Sequence, residues 1–359
     1  MLRINKVYEN QKAIAFCKEF LQSTKPKYIF GINQIAKAIS EQVAINGFID
    51  EFTVQKNYLD KPIVSLKAVE DDALVVIVVA LGKPLIAEKK VSQYQFDFLD
   101  CFSFLKYSGL EIQHTMFSMT MAEDIQNNFA KYEWIYKKLE DQISKNQFYN
   151  LINFKFSYDL DYMRGFEAIE ERQYFEEFLD LGECDEVFVD IGAYDGYTTQ
   201  EFIKRAPKYK GVLLFEPEAK NMELAKARLE KFENIRFYML GLSDKKETLR
   251  FDTSGSGSKL SEQGDTTIEV DTLDSVVQEK ITFIKMDIEG AEAKAIEGAM
   301  QTIKLYHPKL AISVYHKSSD FWKIPEQILA IRDDYTIYLR HYTEGTDETV
   351  MFFIPKKEA

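Results

Sequence analysis

Three places in the sequence put carboxylates where a hydrophobic run ends. The first is VFVDIGAYDGYTT, in which an apolar stretch ends at Asp190 and a turn holding Gly192 and Gly196 opens into a helical pattern. Ligands of doubly wound sheets bind beyond the carboxyl ends of the strands, and glycine lets the backbone come close to them. The spacing here is G-x-x-x-G, not the G-x-G-x-x-G that cradles a pyrophosphate. Asp190 and Asp195 would repel a pyrophosphate, yet they suit a ligand with a positively charged amino group. A plain strand–turn–helix with a capped helix would use the same residues. The second place is LFEP, which puts Glu216 and Pro217 at the end of the next apolar run. A carboxylate at that position can accept both hydroxyls of a ribose, or cap the helix that follows. The third is FIKMDIEGAEAKAIEGA, with Asp287, Glu289 and Glu292 at the mouth of a helix. Like charges packed so closely oppose simple folding, so a functional use outweighs capping.

His316 ends the apolar run KLAISVYH, on a strand expected beside the one that ends at Asp287. A histidine with a carboxylate neighbour is a proton acceptor near neutral pH, although a polar strand end bonding a loop carbonyl would read alike. Arg340 and His341, in YLRHY, end the following strand and are candidates for lining an acceptor pocket. Asp287, Glu289 and His316 also offer the oxygen and imidazole ligands that suit Mg²⁺ or Mn²⁺. No fixed metal-ligand spacing accompanies them, and no metal is assigned.

The elements that must position these residues follow from hydrophobic periodicity. From Val187 strands and helices alternate regularly: VFVDI, DGYTTQEFIKRA, GVLLFE, PEAKNMELAKARLEKF, NIRFYML, then ITFIKMDI, EAKAIEGAMQTIKLY and KLAISVYH. This predicts an α/β fold, a doubly wound parallel sheet of about seven strands with helices on both faces. The closing runs YTIYLRHY and ETVMFFIP fit one reversed edge strand. TLRFD and TTIEV predict a hairpin around a flexible SGSGS loop at residues 254–258. A second, smaller α/β unit of Rossmann-like outline is expected over residues 1–110, from YIFGI, NQIAKAISEQVAI, GFIDEF, PIVSL and ALVVIVVAL. Residues 111–181 predict a helical connector, with one amphipathic helix over 127–144 and another over 172–181 stopping at Gly182. The third unit is then 182–359.

The runs DIGAYDGYTT, FEP, LSDKKETL, KMDIEGAEAKAIEGA and SVYHKSSDFWKIPEQI together closely resemble the FkbM family of S-adenosylmethionine-dependent methyltransferases. The likeness spans roughly residues 170–355, and DIEGAE is its most specific piece. It implies a class I methyltransferase sheet, S-adenosyl-L-methionine as cofactor, and methylation of a hydroxyl oxygen, often on a sugar or glycosylated product. Carried onto this chain, it implies that Asp190, Gly192, Ala193, Tyr194, Asp195 and Gly196 surround the methionine part. Glu216 with Pro217 would then hold the ribose, and Leu242, Ser243 and Asp244 would lie near the adenine. Asp287 would stand beside the sulfonium and the acceptor, with His316 taking or solvating the hydroxyl proton.

Composition narrows the classes. A net charge of −13 leaves no dense basic patch for a phosphate backbone or an anionic lipid surface, so neither nucleic acid nor membrane insertion is expected. The partner is a small-molecule or glycan acceptor. The 46% hydrophobic and 29% charged content is that of a folded chain. Cys17, Cys101 and Cys184 have no metal-ligand spacing, the N-terminus has no signal-peptide core, and the longest apolar run is too short to cross a bilayer. A soluble cytoplasmic protein is expected. In the N-terminal unit GINQIA has Asn33 and Ala36 where a dinucleotide fingerprint needs glycines, so Gly31 and Asp50 are left with at most a nucleotide sugar. A structural role, or an interface in a homodimer, fits that unit better. The competing readings are a nucleotide-sugar or NAD-linked enzyme working through it, and a non-catalytic scaffold.

Overall fold

A computed structural model describes residues 1–112, 120–182, 185–252, 259–260 and 266–356. The SGSGS segment and Cys184 lie outside the described residues. In the N-terminal part, β1 (Lys27–Phe30), β2 (Gly47–Ile49), β3 (Asn57–Tyr58), β4 (Lys61–Val64), β5 (Leu74–Ile77) and β6 (Asp97–Leu99) form one sheet in the order β3-β4-β2-β1-β5-β6. All its pairings are parallel except β3 with β4. Helices α1 (Gln11–Gln22), α2 (Gln34–Gln42), α3 (Pro84–Val91) and α4 (Cys101–Tyr107) complete it. The unbroken β-branched run of β5 is buried along its length, as a strand covered on both faces must be. The turns after β1 and β2 are held by local side chains. Asn33 caps α2 at the Ala36 N–H and donates to the Val78 carbonyl, and Asp50 accepts the N–H groups of Phe52 and Thr53.

The connector holds two helices, α5 (Thr120–Lys138) and α6 (Gln142–Ser157), where the periodicity predicts one across 127–144. Asp141 breaks the run, because its side chain caps α6 by accepting the Ser144 N–H at 2.7 Å. The helix expected over 172–181 is also absent. The chain there makes two short 3₁₀ turns, with Tyr174 at φ +68° and Asp180 at φ +50°. Tertiary contacts pull its aromatics in different directions, Tyr174 to Asp287 and Phe178 onto Tyr338, and this overrides local helix preference.

The C-terminal sheet comprises β7 (Val187–Ile191), β8 (Gly211–Phe215), β9 (Ile235–Tyr238), then β14 (Phe283–Met286), β15 (Lys309–Ser313), β16 (Tyr335–His341) and β17 (Thr349–Pro355). A small sheet of β10 (Gly241–Leu242), β11 (Glu247–Asp252), β12 (Lys259–Leu260) and β13 (Thr266–Asp271) lies between β9 and β14 in sequence, and β11 and β13 pair antiparallel as predicted. The seven strands run in the order β16-β17-β15-β14-β7-β8-β9. The reversed strand is β17, and it is not at the edge: it inserts between β15 and β16, antiparallel to both. Its Val350, Met351, Phe352 and Phe353 are fully buried, which an edge position would not permit. Helices α7 (Tyr197–Arg205), α8 (Ala219–Leu229), α9 (Leu273–Val276), α10 (Glu292–Glu297), α11 (Met300–Tyr306) and α12 (Asp320–Ile331) cover the faces. The single helix expected from Glu292 to Tyr306 is two, because Asp274 caps the second by accepting the N–H groups of Gln301 and Thr302.

One buried apolar cluster runs from Leu2 and Phe20 through Tyr132 and Phe148 to Ile312 and Phe353, so both sheets and the connector share a core. Each fully buried large side chain in it is worth about 1.5–3 kcal/mol. Among the described residues no helix is long and apolar enough to cross a membrane.

Candidate active site

The carboxyl ends of β7, β8, β14 and β15 open onto a cavity of about 770 Å³. Its wall takes in Gly192, Ala193, Tyr194, Asp195, Glu216, Pro217 and Leu242 on one side and Asp287, Glu289 and His316 on the other. Its far end is made by Thr343, Thr346, Asp347 and Glu348, by Lys155 and Tyr158 from the connector, and by Leu81 and Gly82 from the N-terminal sheet.

The glycine turn after β7 is built for close approach. Gly192 has φ +75°, and a Cβ there would fall 1.9 Å from the Asp287 carbonyl oxygen, so only glycine lets the ends of β7 and β14 meet. Glu216 at the end of β8 is buried, and it accepts the Tyr194 N–H at 2.9 Å and the Glu218 N–H at 2.9 Å. It therefore fixes the turn it faces, while burial holds its carboxyl above the usual range despite those amides. Asp195 is paired with Arg228 and accepts the Tyr197 N–H at the start of α7.

Four of the residues expected around the cofactor do not line the cavity. Asp190 is completely buried behind the turn, where it accepts the Thr199 hydroxyl at 2.7 Å and pairs with Lys285 at 3.3 Å. Lys285 in turn donates to the carbonyls of Gly192 at 2.6 Å and Ile191 at 3.3 Å. The first carboxylate thus acts through a buried lysine that holds the turn's backbone. Gly196 packs against α8, and Ser243 bonds Asp244 beyond Leu242. Arg340 and His341, candidates for the acceptor pocket, also lie away from it. Arg340 clamps Asp141 and Ser144 of the connector, and His341 is buried between Thr349 and Thr343, its pKa lowered to about 3 by burial and the charge of Lys155. Gly31, Asn33 and Asp50 do not line it either.

The third carboxylate cluster meets His316 as expected. The His316 Nε2 lies 3.4 Å from Asp287 Oδ1 and 3.8 Å from Glu289 Oε2, and its Nδ1 lies 2.9 Å from Glu292 Oε1. Burial opposes a charge on the ring, but Glu292, Asp287 and Glu289 more than offset it and raise its pKa to about 10. An imidazole so placed keeps its proton at neutral pH, unlike the free base expected from the sequence. Asp287 is oriented by the Tyr174 hydroxyl, which donates to Oδ2 at 2.6 Å and lies 3.2 Å from the Ser313 hydroxyl. Burial works against its ionisation, yet His316, Lys285 and these hydroxyls hold its carboxyl below the usual range. Glu289 stands at φ +54°, a conformation that costs a non-glycine residue about 1–3 kcal/mol and that clusters at functional sites.

Nothing in the sequence marks Tyr174, Lys155 or the Thr343–Glu348 loop, whose partners are far away along the chain. Lys285 does leave a signal: a lysine in the middle of an apolar strand must find a buried partner. At the far end of the cavity Lys155 donates to the Thr346 carbonyl at 3.0 Å, and burial lowers its pKa to about 8. Glu348 is raised to about 8 by burial and by the charge of Asp287.

Among the described residues the cavity wall carries seven carboxyl side chains against two lysines and His316. Such a wall suits a cationic ligand with ribose hydroxyls, and repels a pyrophosphate.

Known methyltransferases resemble this chain in sequence and in fold. Residues 190–343 match the family model described as the methyltransferase FkbM domain. A 2-O-methyltransferase, NoeI of Sinorhizobium fredii, is 27% identical over 149 residues, which cover 34% of this chain and 61% of that protein. The chain thus spans less than two thirds of that relative's length. The crystal structure of the methyltransferase FkbM from Methylobacillus flagellatus superposes with a TM-score of 0.77 at 22% identity. The superposition covers 98% of this chain and 94% of that one, so the likeness in fold extends through the N-terminal sheet and the connector. Over residues 190–343 this chain is similar to the methyltransferase FkbM domain.

Proposed function

We propose that the protein transfers a methyl group from S-adenosyl-L-methionine to a hydroxyl oxygen of a sugar or glycan precursor. The observation that carries this reading is a single cavity whose wall takes in Gly192, Glu216, Asp287 and His316. The residues fit the cofactor's chemistry. The Gly192–Asp195 turn and its carboxylates suit the methionine part, Glu216 the ribose hydroxyls, and Pro217 and Leu242 an apolar adenine face. When bound, the cofactor supplies an electrophilic methyl group on a sulfonium.

Transfer of that methyl to oxygen is an in-line displacement, so the chain's work is to position, exclude water and accept a proton. Asp287, fixed by Tyr174, accepts a hydrogen bond from the acceptor hydroxyl and aligns it. The carboxylates around His316 provide the sink for its proton. The far end of the cavity, with Thr343, Thr346, Asp347, Glu348 and Lys155, offers the dense hydrogen bonding that a polyhydroxylated acceptor needs. The name 2-O-methyltransferase carried by NoeI supports oxygen as the acceptor atom. On this reading the N-terminal sheet is a wall of the acceptor site, not a second catalytic centre.

The test is calorimetric titration of the whole chain with S-adenosylmethionine and its demethylated product, followed by a screen of sugar acceptors. Binding that weakens in Glu216→Ala supports the reading. No binding at millimolar ligand would return the chain to the scaffold reading.

A further inference from the structure

The cluster around His316 has more lone pairs than donors. Its ring, 8% exposed, is surrounded by Asp287, Glu289 and Glu292, and among the described residues no lysine or arginine makes an ion pair with any of the three. The two nearest lysines are engaged elsewhere: Lys317 donates to the Gly290 carbonyl, and Lys285 to the glycine turn. Glu292, 1% exposed, gives its Oε1 to the N–H groups of Ile288 at 2.9 Å and Gly290 at 3.3 Å. Among the described residues this leaves Asp287 Oδ1, Glu292 Oε2 and His316 Nε2 buried and without a hydrogen bond, the ring Nδ1 facing Glu292 Oε1 at 2.9 Å. Buried polar atoms are rarely left so, and buried carboxylates in contact need a counter-cation.

We propose that Asp287, Glu292 and His316 bind a divalent cation of the Mn²⁺ or Mg²⁺ kind. One ligand atom from each lies within 4.8 Å of the other two. Two carboxylates and one imidazole, which releases its Nε2 proton to solvent as the ion binds, form a hard, oxygen-rich set that favours these ions over thiophilic ones. The supporting contacts are those of a prepared site. Tyr174 holds Asp287 Oδ2 and leaves Oδ1 facing His316, and the two backbone amides hold Glu292 Oε1 and leave Oε2 free. Because Asp287 and His316 lie on the cavity wall, the ion's remaining positions open toward the acceptor. There it would lower the pKa of a coordinated hydroxyl and fix its oxygen, with Glu289 beside it. This role rests on the methyltransferase reading; binding of the ion does not.

The experiment uses the whole chain, stripped with a chelator and desalted, titrated with Mn²⁺ alone and followed by the paramagnetic resonance of free Mn²⁺. The expected result is one Mn²⁺ per chain, with affinity lowered at least about tenfold in Glu292→Gln and in His316→Gln, and unchanged in Glu279→Gln, whose carboxylate pairs with Arg236. Circular dichroism establishes that each variant is folded, and Asp287→Asn replaces either one that is not. No stoichiometric binding, or binding that survives in the cluster variants, overturns the site. Since neither cofactor nor acceptor is present, such a failure leaves the methyltransferase reading untouched.

Discussion

Gly345 lies so close to the Leu81 carbonyl that a Cβ on it would stand 1.6 Å from that oxygen. The contact joins the loop between β16 and β17 to the end of the N-terminal sheet. Its neighbour Glu344 strengthens the joint. The Glu344 N–H donates to the Gly82 carbonyl at 2.9 Å, and its carboxylate accepts the Ile86 N–H at 3.0 Å, capping α3 where Lys83 offers no side-chain cap. The same loop supplies Thr343, Thr346, Asp347 and Glu348 to the cavity. The N-terminal sheet therefore sets where this end of the cavity stands.

Gly345→Ala must displace this loop, because the atom it meets is backbone. We expect a stability loss of about 1–3 kcal/mol, as for other overpacking changes. Turnover should fall about tenfold or more, while affinity for S-adenosylmethionine, held by the opposite wall, stays within about twofold. Calorimetry and steady-state kinetics separate the two. Wild-type turnover would show that the joint does not position the acceptor.

Tyr174→Phe removes the hydroxyl that orients Asp287. A hydrogen bond to a charged group is worth about 1.5–3 kcal/mol, so turnover should drop about tenfold to a hundredfold. On the proposed reading, in which Asp287 aligns the acceptor, cofactor affinity should change little. A variant that loses affinity and keeps turnover would move Asp287 from acceptor alignment to cofactor binding.

How far the site could be read from the sequence depends on distance along the chain. Asp287, Glu289 and Glu292 were visible because a helix mouth gathers them locally, and His316 because its strand had to neighbour that of Asp287. Tyr174 was hidden, being 113 residues from its partner and held at a positive φ that only tertiary contacts impose. The strands themselves were plain from their apolar runs. The order of the last two was not, since β16 and β17 are both apolar and periodicity carries no information about which one inserts. Asp190 was recognised as important, but the sequence could not tell a ligand carboxylate from one that holds Lys285.

That distinction gives a stability prediction. Asp190 and Lys285 are 0% and 2% exposed, and Lys285→Met leaves Asp190 with the Thr199 hydroxyl alone. Breaking such a buried pair costs about 3–5 kcal/mol, and the Asp190→Asn/Lys285→Met double variant should recover part of it. Urea unfolding of the three proteins measures this. A loss below about 1 kcal/mol in the single variant would deny the pair its structural weight.

Glu216→Ala should weaken S-adenosylmethionine binding about tenfold or more, because it removes the carboxylate and frees the Tyr194 amide together. Glu216→Gln removes the charge but keeps one acceptor oxygen, so it can still take one of the two amides. If the glutamine variant binds as the wild type does, the carboxylate serves the turn and not the ribose.

The last prediction concerns the clamp between connector and sheet. Arg340 donates to both oxygens of Asp141, at 3.2 and 2.6 Å, and Ser144 adds its N–H. Burial opposes the charge on Asp141, but Arg340 and Ser144 outweigh it and lower its pKa to about 2. A folded pKa below the unfolded value of about 3.9 means stability that is complete above about pH 4 and lost as pH falls toward 2. Two units correspond to about 2.7 kcal/mol, and the 31% exposure of Asp141 discounts this to about 1–2 kcal/mol. Asp141→Asn keeps the helix cap and removes the charge together with the oxygen that accepts from Arg340 Nη2. Its deficit in urea unfolding should be about 1–2 kcal/mol at pH 7 and shrink steadily below pH 4. A deficit that stays constant down to about pH 2.5 would assign the loss to packing of the amide, not to the ion pair.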